Sequence, residues 1–404
     1  MTGGKPIDLR REGLLPQEEM LEVGTIKHNM VIGIPKEDPK RESRVPLTPE
    51  AVEILIGNGH EVILEAGAGS AANYPDNQYA ESGALITESR ADVFQAEVVL
   101  MINPPDVKDI DMMKERLTLI SYFQVKTSKD RTYLDKLVQK RITAISLERI
   151  RDEHNCYPLI RSMSSIAGNT AILIAGEYLS NTRGGKGVML GGITGITPTE
   201  VVILGAGTVA EFAVRAAIGL GASVKVFDES VQRLRRLQTA VGSHIPTSIF
   251  HPKVIEKALK SADVVIGAVR NDEDKPTFFI TEEMVMGMKK GSVIIDISID
   301  SGGCVATSES RTQQDPAFTK HGVIHYCVPN IPSRVARTAS IATSNVVSPM
   351  LKNLGLHGGI TQSLKGDAGF RHGVYLYNGI LTNEVLGHRF GLPSKDIDLL
   401  MAAF

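Results

Sequence analysis

Short apolar runs alternate with polar or amphipathic stretches along the first half of the chain. Each run ends at a proline or at a polar or charged residue, which is typical of strands buried in a parallel sheet. A helix is predicted after Thr48, because threonine suits an N-cap and Pro49 suits the first helical position. Helices are also predicted over residues 79–91 and through Gln139. Five strands are predicted, beginning at Met30, Glu61, Val98, Leu117 and Ile142.

The second half repeats the alternation and adds a longer apolar helix, MSSIAGNTAILIAGEYL, from Met163. A glycine-rich run, RGGKGVMLGGITG, follows it; Gly-Lys there lacks a following Ser or Thr, so the run does not match a P-loop. The tail, residues 338–404, is predicted to be helical and to pack on the first half. About six strands are expected, the number in a complete dinucleotide-binding sheet. They cover residues 201–204 and 223–227, a short segment near Thr247, and runs from Ala262, Ser292 and Val323, with a helix over residues 231–240.

The stretch VVILGAGTVAEFAVRAAIGLGASVKVFD carries the strongest functional signal in this pattern. Gly205 and Gly207 allow a tight turn and a close approach of the backbone to a pyrophosphate, and Ala210 is small enough for helix–strand packing. The following helix directs unpaired backbone N–H groups at an anion. Asp228 ends the second strand, where an acid binds ribose hydroxyls and disfavours a 2′-phosphate. The stretch therefore predicts NAD binding in preference to NADP.

Other charged and titratable residues have simpler explanations. Arg233, Arg235 and Arg236 weaken the preference for NAD slightly, but a solvated helix face explains them more simply. His325, within VIHYC, is more simply a buried or hydrogen-bonded structural residue. No His/Asp/Glu spacing suggests a metal site, and no Gly-x-Ser-x-Gly elbow suggests a hydrolase.

Composition and charge describe a soluble globular protein of about two domains, with 404 residues, 42% apolar and 22% charged. The formal charge of −2 gives no reason to expect nucleic acid or an anionic membrane as a partner. No apolar run approaches the length that crosses a bilayer. Three scattered cysteines do not form a disulfide framework or a zinc site, which favours the cytoplasm. The first 29 residues are expected to form a surface arm or an oligomer contact and not a signal peptide.

Longer motifs fall in the same order along the chain as in a known family. They include PKEDPKRESRVPLTPE, MSSIAGNTA, RGGKGVMLGGITGITPTEVVILGAGTVAEFA, ADVVIGAV, IIDISIDSGGC and YCVPNIPSRVARTAS. In these motifs the chain resembles the alanine dehydrogenases and the related nucleotide-binding subunit of proton-pumping transhydrogenase. The resemblance covers nearly all of the chain after about residue 29. Asp300, in IDSGG, and the segment FDESVQRLRRLQ resemble the dehydrogenase branch more closely.

The resemblance implies an α/β fold of two Rossmann-like parallel-sheet domains, with the NAD-binding domain inserted into a discontinuous substrate domain. The implied boundaries are residues 1–29 for the arm, 30–158 plus 337–404 for the substrate domain and 159–336 for the NAD-binding domain. A homo-oligomer, usually a hexamer, is also implied. The family reaction is the reversible oxidative deamination of L-alanine to pyruvate and ammonium, with hydride transfer to NAD.

The resemblance also implies roles for individual residues. Arg44 matches the arginine that binds the substrate carboxylate, a task that suits the guanidinium fork. Asp300 matches the catalytic aspartate beside the nicotinamide, and partial burial there is expected to raise its pKa. Asp296, two residues earlier, is the competing candidate for that position. The residues that match NAD contacts in the family are Ser164, Arg233, Val269, Asn330 and Ile331.

Two residues depart from the family pattern where its acid–base groups stand. Asn103 replaces a lysine and Gln124 replaces the catalytic histidine. Neither side chain titrates, although both can donate hydrogen bonds to a carbonyl oxygen. Lys126, on the same strand face as Gln124, or Arg161 could supply a cation to the cleft, but surface charge is the simpler explanation for each.

Three functions are therefore open. The first is an NAD-dependent amino-acid dehydrogenase that places Asp300, Gln124 and Asn103 at the reacting groups and Arg44 on the substrate. The second is an NAD-binding member of the family with a different amino-acid or oxo-acid substrate, or without dehydrogenase activity. The third, a transhydrogenase subunit, is disfavoured by Asp300 and by the lack of an apolar run long enough to span a membrane.

Overall fold

The computed structural model describes residues 27–123, 131–270 and 277–403, and two sheets organise them. Within these residues, no helix combines the length and apolar character needed to cross a bilayer. The strands are β1 (Val31–Ile34), β2 (Glu61–Glu65), β3 (Leu85–Thr87), β4 (Val98–Leu100), β5 (Thr118–Ser121), β6 (Thr143–Ser146), β7 (Glu200–Leu204), β8 (Ser223–Phe227), β9 (Thr247–Ser248), β10 (Val264–Gly267), β11 (Val293–Asp296), β12 (Ala317–Lys320), β13 (Val323–Tyr326), β14 (Val374–Tyr377) and β15 (Ile380–Leu381). The helices are α1 (Pro49–Gly57), α2 (Asp76–Glu81), α3 (Arg90–Val93), α4 (Val107–Met112), α5 (Arg131–Gln139), α6 (Pro158–Leu179), α7 (Thr208–Gly219), α8 (Val231–Val241), α9 (Pro252–Ser261), α10 (Glu282–Met286), α11 (Ala336–Leu356), α12 (Ile360–Gly366), α13 (Ala368–Arg371), α14 (Glu384–Phe390) and α15 (Ile397–Ala403).

The first sheet has eight strands in the order β15-β14-β6-β5-β4-β1-β2-β3. β1 to β6 pair in parallel. All five strands predicted from apolar runs are present, and β3 is an additional edge strand that was not predicted. The prediction of an entirely helical tail is wrong, because β14 and β15 add two antiparallel strands at one edge. Asn378 and Gly379 both have positive φ, the conformation of a two-residue hairpin turn.

The second sheet has seven strands in the order β12-β13-β11-β10-β7-β8-β9. All six strands predicted for this half are present, and five neighbouring pairs among them are parallel. The additional strand, β12, lies antiparallel on the outer edge beside β13. It was not predicted because its side chains are only partly buried or exposed and form no apolar run. The sheet is therefore Rossmann-like, with one extra edge strand.

Predictions of helix ends have mixed outcomes. The N-cap at Thr48 is confirmed, because its side chain accepts a hydrogen bond from the backbone N–H of Ala51 at 3.4 Å. The single helix over residues 79–91 is wrong: α2, the edge strand β3 and α3 occupy this region. Gly83 has a φ of +92°, in the left-handed region, and the chain turns there after α2.

Helices α6 and α7 pack closely, which fixes the start of α7 beside the second sheet. Gly168 of α6 faces the α7 backbone, and a Cβ there would lie far inside contact distance of the Val209 carbonyl oxygen. Ala171 of α6 and Ala210 of α7 are completely buried. The prediction that position 210 must be small is therefore consistent with the packing of α7.

Gly168→Ala is expected to lower the free energy of unfolding by about 1–3 kcal/mol, because the added methyl group forces α6 and α7 apart. Gly176→Ala on the same helix is the matched control. Its Cβ would lie 3.7 Å from the Leu190 Cβ, an ordinary contact, so it should be neutral or stabilise by up to about 1 kcal/mol. Urea denaturation of both variants measures the difference, and equal midpoints would contradict the close-packing argument.

Candidate active site

Arg44 is buried in the loop after β1, at the carboxyl ends of the strands of the first sheet. Its Nε donates to Glu42 Oε1 at 2.8 Å, and its Nη2 donates to Glu42 Oε2 at 2.7 Å. Its Nη1 donates to the sulfur of Met163 on α6 at 3.2 Å. The Tyr122 ring centroid lies 5.7 Å from the guanidinium carbon. These contacts hold the guanidinium in one orientation.

Glu42 is the carboxylate that organises this loop. It is 2% exposed and also accepts hydrogen bonds from the Arg44 backbone N–H at 2.9 Å and from Asn330 Nδ2 at 2.7 Å. Burial opposes its ionisation, but attraction to Arg44 outweighs burial and holds the pKa of Glu42 below its ordinary value. In return, Glu42 keeps the pKa of Arg44 above its ordinary value despite burial. Sequence reasoning missed Glu42, although its position two residues before Arg44 was a usable signal.

Polar residues follow four neighbouring strands at the same edge of the first sheet. Glu37 follows β1, Asn103 follows β4, Tyr122 follows β5 and Glu148 follows β6. Because β6, β5, β4 and β1 are adjacent and parallel, their carboxyl ends meet at one edge. Ligands in parallel α/β sheets bind outside such edges. The structure therefore gathers these residues on the side of the sheet where Arg44 lies.

Glu37 was not singled out by the sequence, yet it directly supports the predicted position of Asn103. Its two carboxylate oxygens accept hydrogen bonds from the backbone N–H groups of Ile102, at 2.5 Å, and Asn103, at 3.0 Å. Burial and the nearby Glu42 carboxylate raise the pKa of Glu37 to about 8. A carboxyl group with such a pKa exchanges a proton close to neutral pH.

Glu148 supports the end of β5 in a similar way. Its carboxylate accepts a hydrogen bond from the Phe123 backbone N–H at 3.0 Å, and burial raises the pKa of Glu148. Gln124, which follows Phe123, lies outside the described residues, as does Lys126. Arg161 is exposed on α6, as expected of a surface charge.

The glycine-rich turn after β7 has the geometry that the sequence predicted. Gly205 has a φ of +102°, and a Cβ there would overlap the carbonyl oxygen of Ala268. Gly207 is the N-cap of α7, and a Cβ there would have nothing within 4 Å. Asp228, at the end of β8, accepts a hydrogen bond from the Ala206 backbone N–H at 2.8 Å. Asp228 therefore stabilises the glycine-rich turn through this hydrogen bond, in addition to lying next to it.

Arg233 lies beside this acid on α8. Its Nη1 is 3.5 Å from Asp228 Oδ2, and its Nη2 donates to Glu229 Oε1 at 3.0 Å. Two carboxylates therefore balance its charge, which makes Arg233 less available to a 2′-phosphate and supports the preference for NAD. Val269 follows β10 and donates its backbone N–H to the Ser298 hydroxyl at 3.1 Å.

Asp300 and Asp296 lie in different environments, and that of Asp300 differs from the one expected. Asp300 lies in a short 3₁₀ helix, Ile297–Ser301, and is exposed, so the expectation of partial burial is wrong. The 3₁₀ helix begins directly after β11, so Asp300 does not continue the buried strand. Asp296 is completely buried, and its carboxylate accepts hydrogen bonds from the Ser298, Cys304 and Val305 backbone N–H groups and the Ser308 hydroxyl. Burial raises the pKa of Asp296, whose bonds make it the structural residue of the pair.

Asn330 connects Asp300, which follows β11 of the second sheet, to Glu42, which lies in the loop after β1 of the first sheet. It follows β13 with a φ of 60°, and its backbone N–H donates to Asp300 Oδ1 at 3.2 Å while its side chain donates to Glu42. Ile331 is buried next to it, whereas Ser164 is partly buried on α6. The Asn330–Glu42 contact was not predicted, because the two residues are 288 positions apart and no local pattern links them.

His325 is completely buried, with Nε2 2.7 Å from the Thr307 hydroxyl and Nδ1 3.0 Å from the Val323 carbonyl oxygen. The prediction of a structural histidine is confirmed. In the described part of the chain, no group of three or more His, Cys, Asp or Glu side chains is arranged to hold a metal ion.

Comparisons with known proteins agree with this geometry. The N-terminal domain of the alanine dehydrogenase/PNT family matches residues 33–167, and the C-terminal domain of the same family matches residues 171–384. An alanine dehydrogenase of Bacillus subtilis is 37% identical over 363 residues, which cover 90% of this chain and 95% of the relative. An alanine dehydrogenase of Staphylococcus saprophyticus is 35% identical over 370 residues, covering 91% and 99% of the two chains.

Solved structures give the same result. An L-alanine dehydrogenase superposes with a TM-score of 0.83 at 34% identity, covering 90% of this chain and 99% of the other. A transhydrogenase from Sinorhizobium meliloti superposes with a TM-score of 0.73 at 20% identity, covering 88% and 99%, and shares the fold. The assignment rests on the matches to both family domains, on the relatives that cover about nine-tenths of the chain and on the Rossmann-like second sheet. The chain belongs to the alanine dehydrogenase/PNT family.

Proposed function

We propose that this protein is an NAD-dependent dehydrogenase that oxidises L-alanine, with water, to pyruvate and ammonium, and that also catalyses the reverse reaction. One observation carries the proposal: the buried Arg44 is joined by hydrogen bonds through Glu42 and Asn330 to Asp300. This line places a group suited to a carboxylate, Arg44, and an exposed acid, Asp300, at the strand ends of the two sheets. The likeness to alanine dehydrogenases over about nine-tenths of the chain supports the choice of substrate.

The turn after β7 supports NAD as the cofactor. Gly207 leaves open space at the N-terminus of α7, where backbone N–H groups and the helix dipole favour a pyrophosphate. Asp228 would accept hydrogen bonds from ribose hydroxyls, because each oxygen can accept more than one. Bound beside these residues, NAD would supply the acceptor for the hydride that leaves the substrate α-carbon. The other residues proposed to contact NAD are Gly205, Ala210, Ser164, Arg233, Val269, Asn330 and Ile331.

Residues of the chain would bind the substrate, accept its protons and donate hydrogen bonds to its carbonyl oxygen. Arg44 would bind the substrate carboxylate and thereby orient the α-carbon. Asp300 would accept protons from the substrate ammonium group and the attacking water, and its exposure suits exchange of those protons with solvent. Asn103 and Gln124 would donate hydrogen bonds to the carbonyl oxygen of the oxo acid.

We further propose the domain limits and assembly that accompany this function. Residues 30–158 plus 337–404 would form the substrate domain, residues 159–336 the NAD-binding domain, and residues 1–29 a separate arm. The assembly would be a homo-hexamer in the cytoplasm, and the partner of the site would be a small amino or oxo acid. The division follows the two sheets, since β14 and β15 of the C-terminal segment complete the first sheet.

A panel of L-amino acids and 2-oxo acids, assayed with NAD and NADP, tests the proposal. We expect L-alanine with NAD, and pyruvate with ammonium and NADH, to give the highest kcat/KM. Turnover of another amino acid at a higher kcat/KM than alanine would overturn the substrate. Asn103 favours a second candidate, an NAD-binding protein without dehydrogenase activity, because it does not titrate. Tight NAD binding by calorimetry, with no turnover across the panel, would identify that candidate.

A further inference from the structure

We propose that Glu42 and Asn330 form a latch that couples binding of the oxo acid to binding of the cofactor. The latch is the hydrogen bond from Asn330 Nδ2 to Glu42 Oε2, which is 2.7 Å long. It rests on the proposed function, because it assumes that the substrate carboxylate binds Arg44 and that NAD binds the second sheet. Glu42 is a positioning residue in this proposal, since it acts through Arg44. Asn330 is also among the residues proposed to contact NAD, so each variant is compared at NADH concentrations that saturate that variant.

The latch joins elements that belong to different sheets. Glu42 lies in the loop after β1 of the first sheet, and Asn330 follows β13 of the second. Oε2 of Glu42 also accepts from Arg44 Nη2 at 2.7 Å, so one carboxylate oxygen contacts both Arg44 and Asn330. Any displacement of Glu42 must therefore change the geometry of both hydrogen bonds.

Asn330 is equally constrained on its own side. Its φ of 60° lies in the left-handed region, which asparagine tolerates better than most residues. Its backbone N–H donates to Asp300 Oδ1 at 3.2 Å, while its side chain reaches Glu42. The same residue thus positions the acid on the cofactor side and the carboxylate that orients Arg44.

Burial makes this line of contacts an effective coupling device. Glu42 is 2% exposed and Arg44 is 7% exposed, so water cannot readily replace a broken contact between them. A ligand that fixes the segment after β13 also fixes Glu42 and Arg44 in the orientation that an oxo acid requires. Binding of either ligand then reduces the ordering cost of binding the other, and the effect must be reciprocal.

Calorimetry of the full-length protein can measure this coupling. Pyruvate is titrated with and without saturating NADH, and ammonium is omitted so that no turnover occurs. For the wild type we expect NADH to tighten pyruvate binding by on the order of 10-fold. Asn330→Gly keeps the left-handed backbone but removes the amide, and should reduce the factor to within about 2-fold of unity. Glu42→Gln should reduce it as well, and the double variant should lose no more than either single variant.

Ser333→Ala is the matched control. Ser333 lies three residues after Asn330, and its hydroxyl accepts from the Ser43 backbone N–H at 2.9 Å, so it joins the same two segments without contacting Glu42. Its loss should leave the coupling factor unchanged. A wild-type factor of unity, full coupling in Asn330→Gly, or equal loss in Ser333→Ala would each overturn the latch. Failure of the wild type to bind pyruvate or oxidise alanine would instead overturn the proposed function.

Discussion

Replacing Arg44 with lysine is expected to lower kcat/KM for L-alanine by roughly 10²- to 10³-fold, the largest effect of any single change proposed for this site. Lysine keeps the positive charge, so Glu42 retains a buried counter-ion. An ammonium group, however, cannot donate in parallel to both oxygens of Glu42 while also presenting N–H groups to a substrate carboxylate. The loss should therefore appear in substrate capture and orientation, and NADH affinity should change by less than about 3-fold.

Arg41→Lys is the control for this experiment. Arg41 lies three residues before Arg44, but its side chain is 64% exposed and its partner, Asp106, is 3.4 Å away at the surface. Surface pairs of this kind contribute little, so kcat/KM should stay within about 2-fold of the wild type. Steady-state kinetics with alanine, together with fluorescence titration of NADH, separates the outcomes. Wild-type kcat/KM in Arg44→Lys would show that the substrate carboxylate binds elsewhere.

The second sheet and its glycine-rich turn follow closely from the sequence, because their signals are local. Residues 201–228 contain the strand, the turn, the helix and the terminal acid within one continuous segment. The positive φ of Gly205 and the open space beside Gly207 are features of this segment, although Gly205 also packs against the carbonyl oxygen of Ala268 in a later strand region. The hairpin at Asn378 and Gly379 was equally local, and its Asn-Gly pair between apolar residues was a signal that could have been used.

The contacts at the carboxyl ends of the first sheet could be predicted less completely, because they are tertiary. Glu37 reaches the backbone of Asn103, 66 positions away, and Glu42 reaches Asn330, 288 positions away. Neither contact leaves a periodic pattern in the chain. The exposure of Asp300 also depends on a short 3₁₀ helix, whose few residues carry no periodicity. Family resemblance can locate such residues, but their environments require the folded structure.

The raised pKa of Glu37 is expected to make the protein less stable as pH rises from about 5 to about 8. The ordinary value is 4.5, whereas burial and the Glu42 carboxylate raise the folded-state pKa to about 8. Between these values the folded protein retains a proton that the unfolded chain has released, so rising pH favours unfolding until the folded group also ionises. The contribution could reach about 5 kcal/mol, since the pKa differs by about 3.5 units and one unit corresponds to about 1.4 kcal/mol.

Glu37→Gln tests this expectation through the slope of stability with pH. Because glutamine cannot ionise, the free energy of unfolding of the variant should fall less than that of the wild type between pH 5.5 and pH 9. Its amide presents only one acceptor oxygen to the Ile102 and Asn103 N–H groups, which imposes a pH-independent loss of about 1–3 kcal/mol. Urea denaturation at several pH values distinguishes the two effects, and Glu81→Gln, an exposed change on α2, controls for net charge.

The same proton should influence the substrate site. Above pH 8, an ionised Glu37 would add a second, partly buried carboxylate near Arg44, which is already paired with Glu42, and would repel the carboxylate of an incoming oxo acid. The KM for pyruvate should therefore rise above pH 8 in the wild type and stay flat in Glu37→Gln, because the pyruvate carboxylate itself does not titrate there. The other charged residues lining the pocket beside Glu37 are Asp38, Arg41, Arg90, Asp106 and Asp109. If the pH profile of KM for pyruvate is unchanged in an Arg41→Gln variant, the effect is assigned to Glu37. If the free energy of unfolding of Glu37→Gln falls with pH as steeply as that of the wild type, the Glu37 carboxyl is ionised throughout this range, and Arg44 already balances the charges of Glu37 and Glu42.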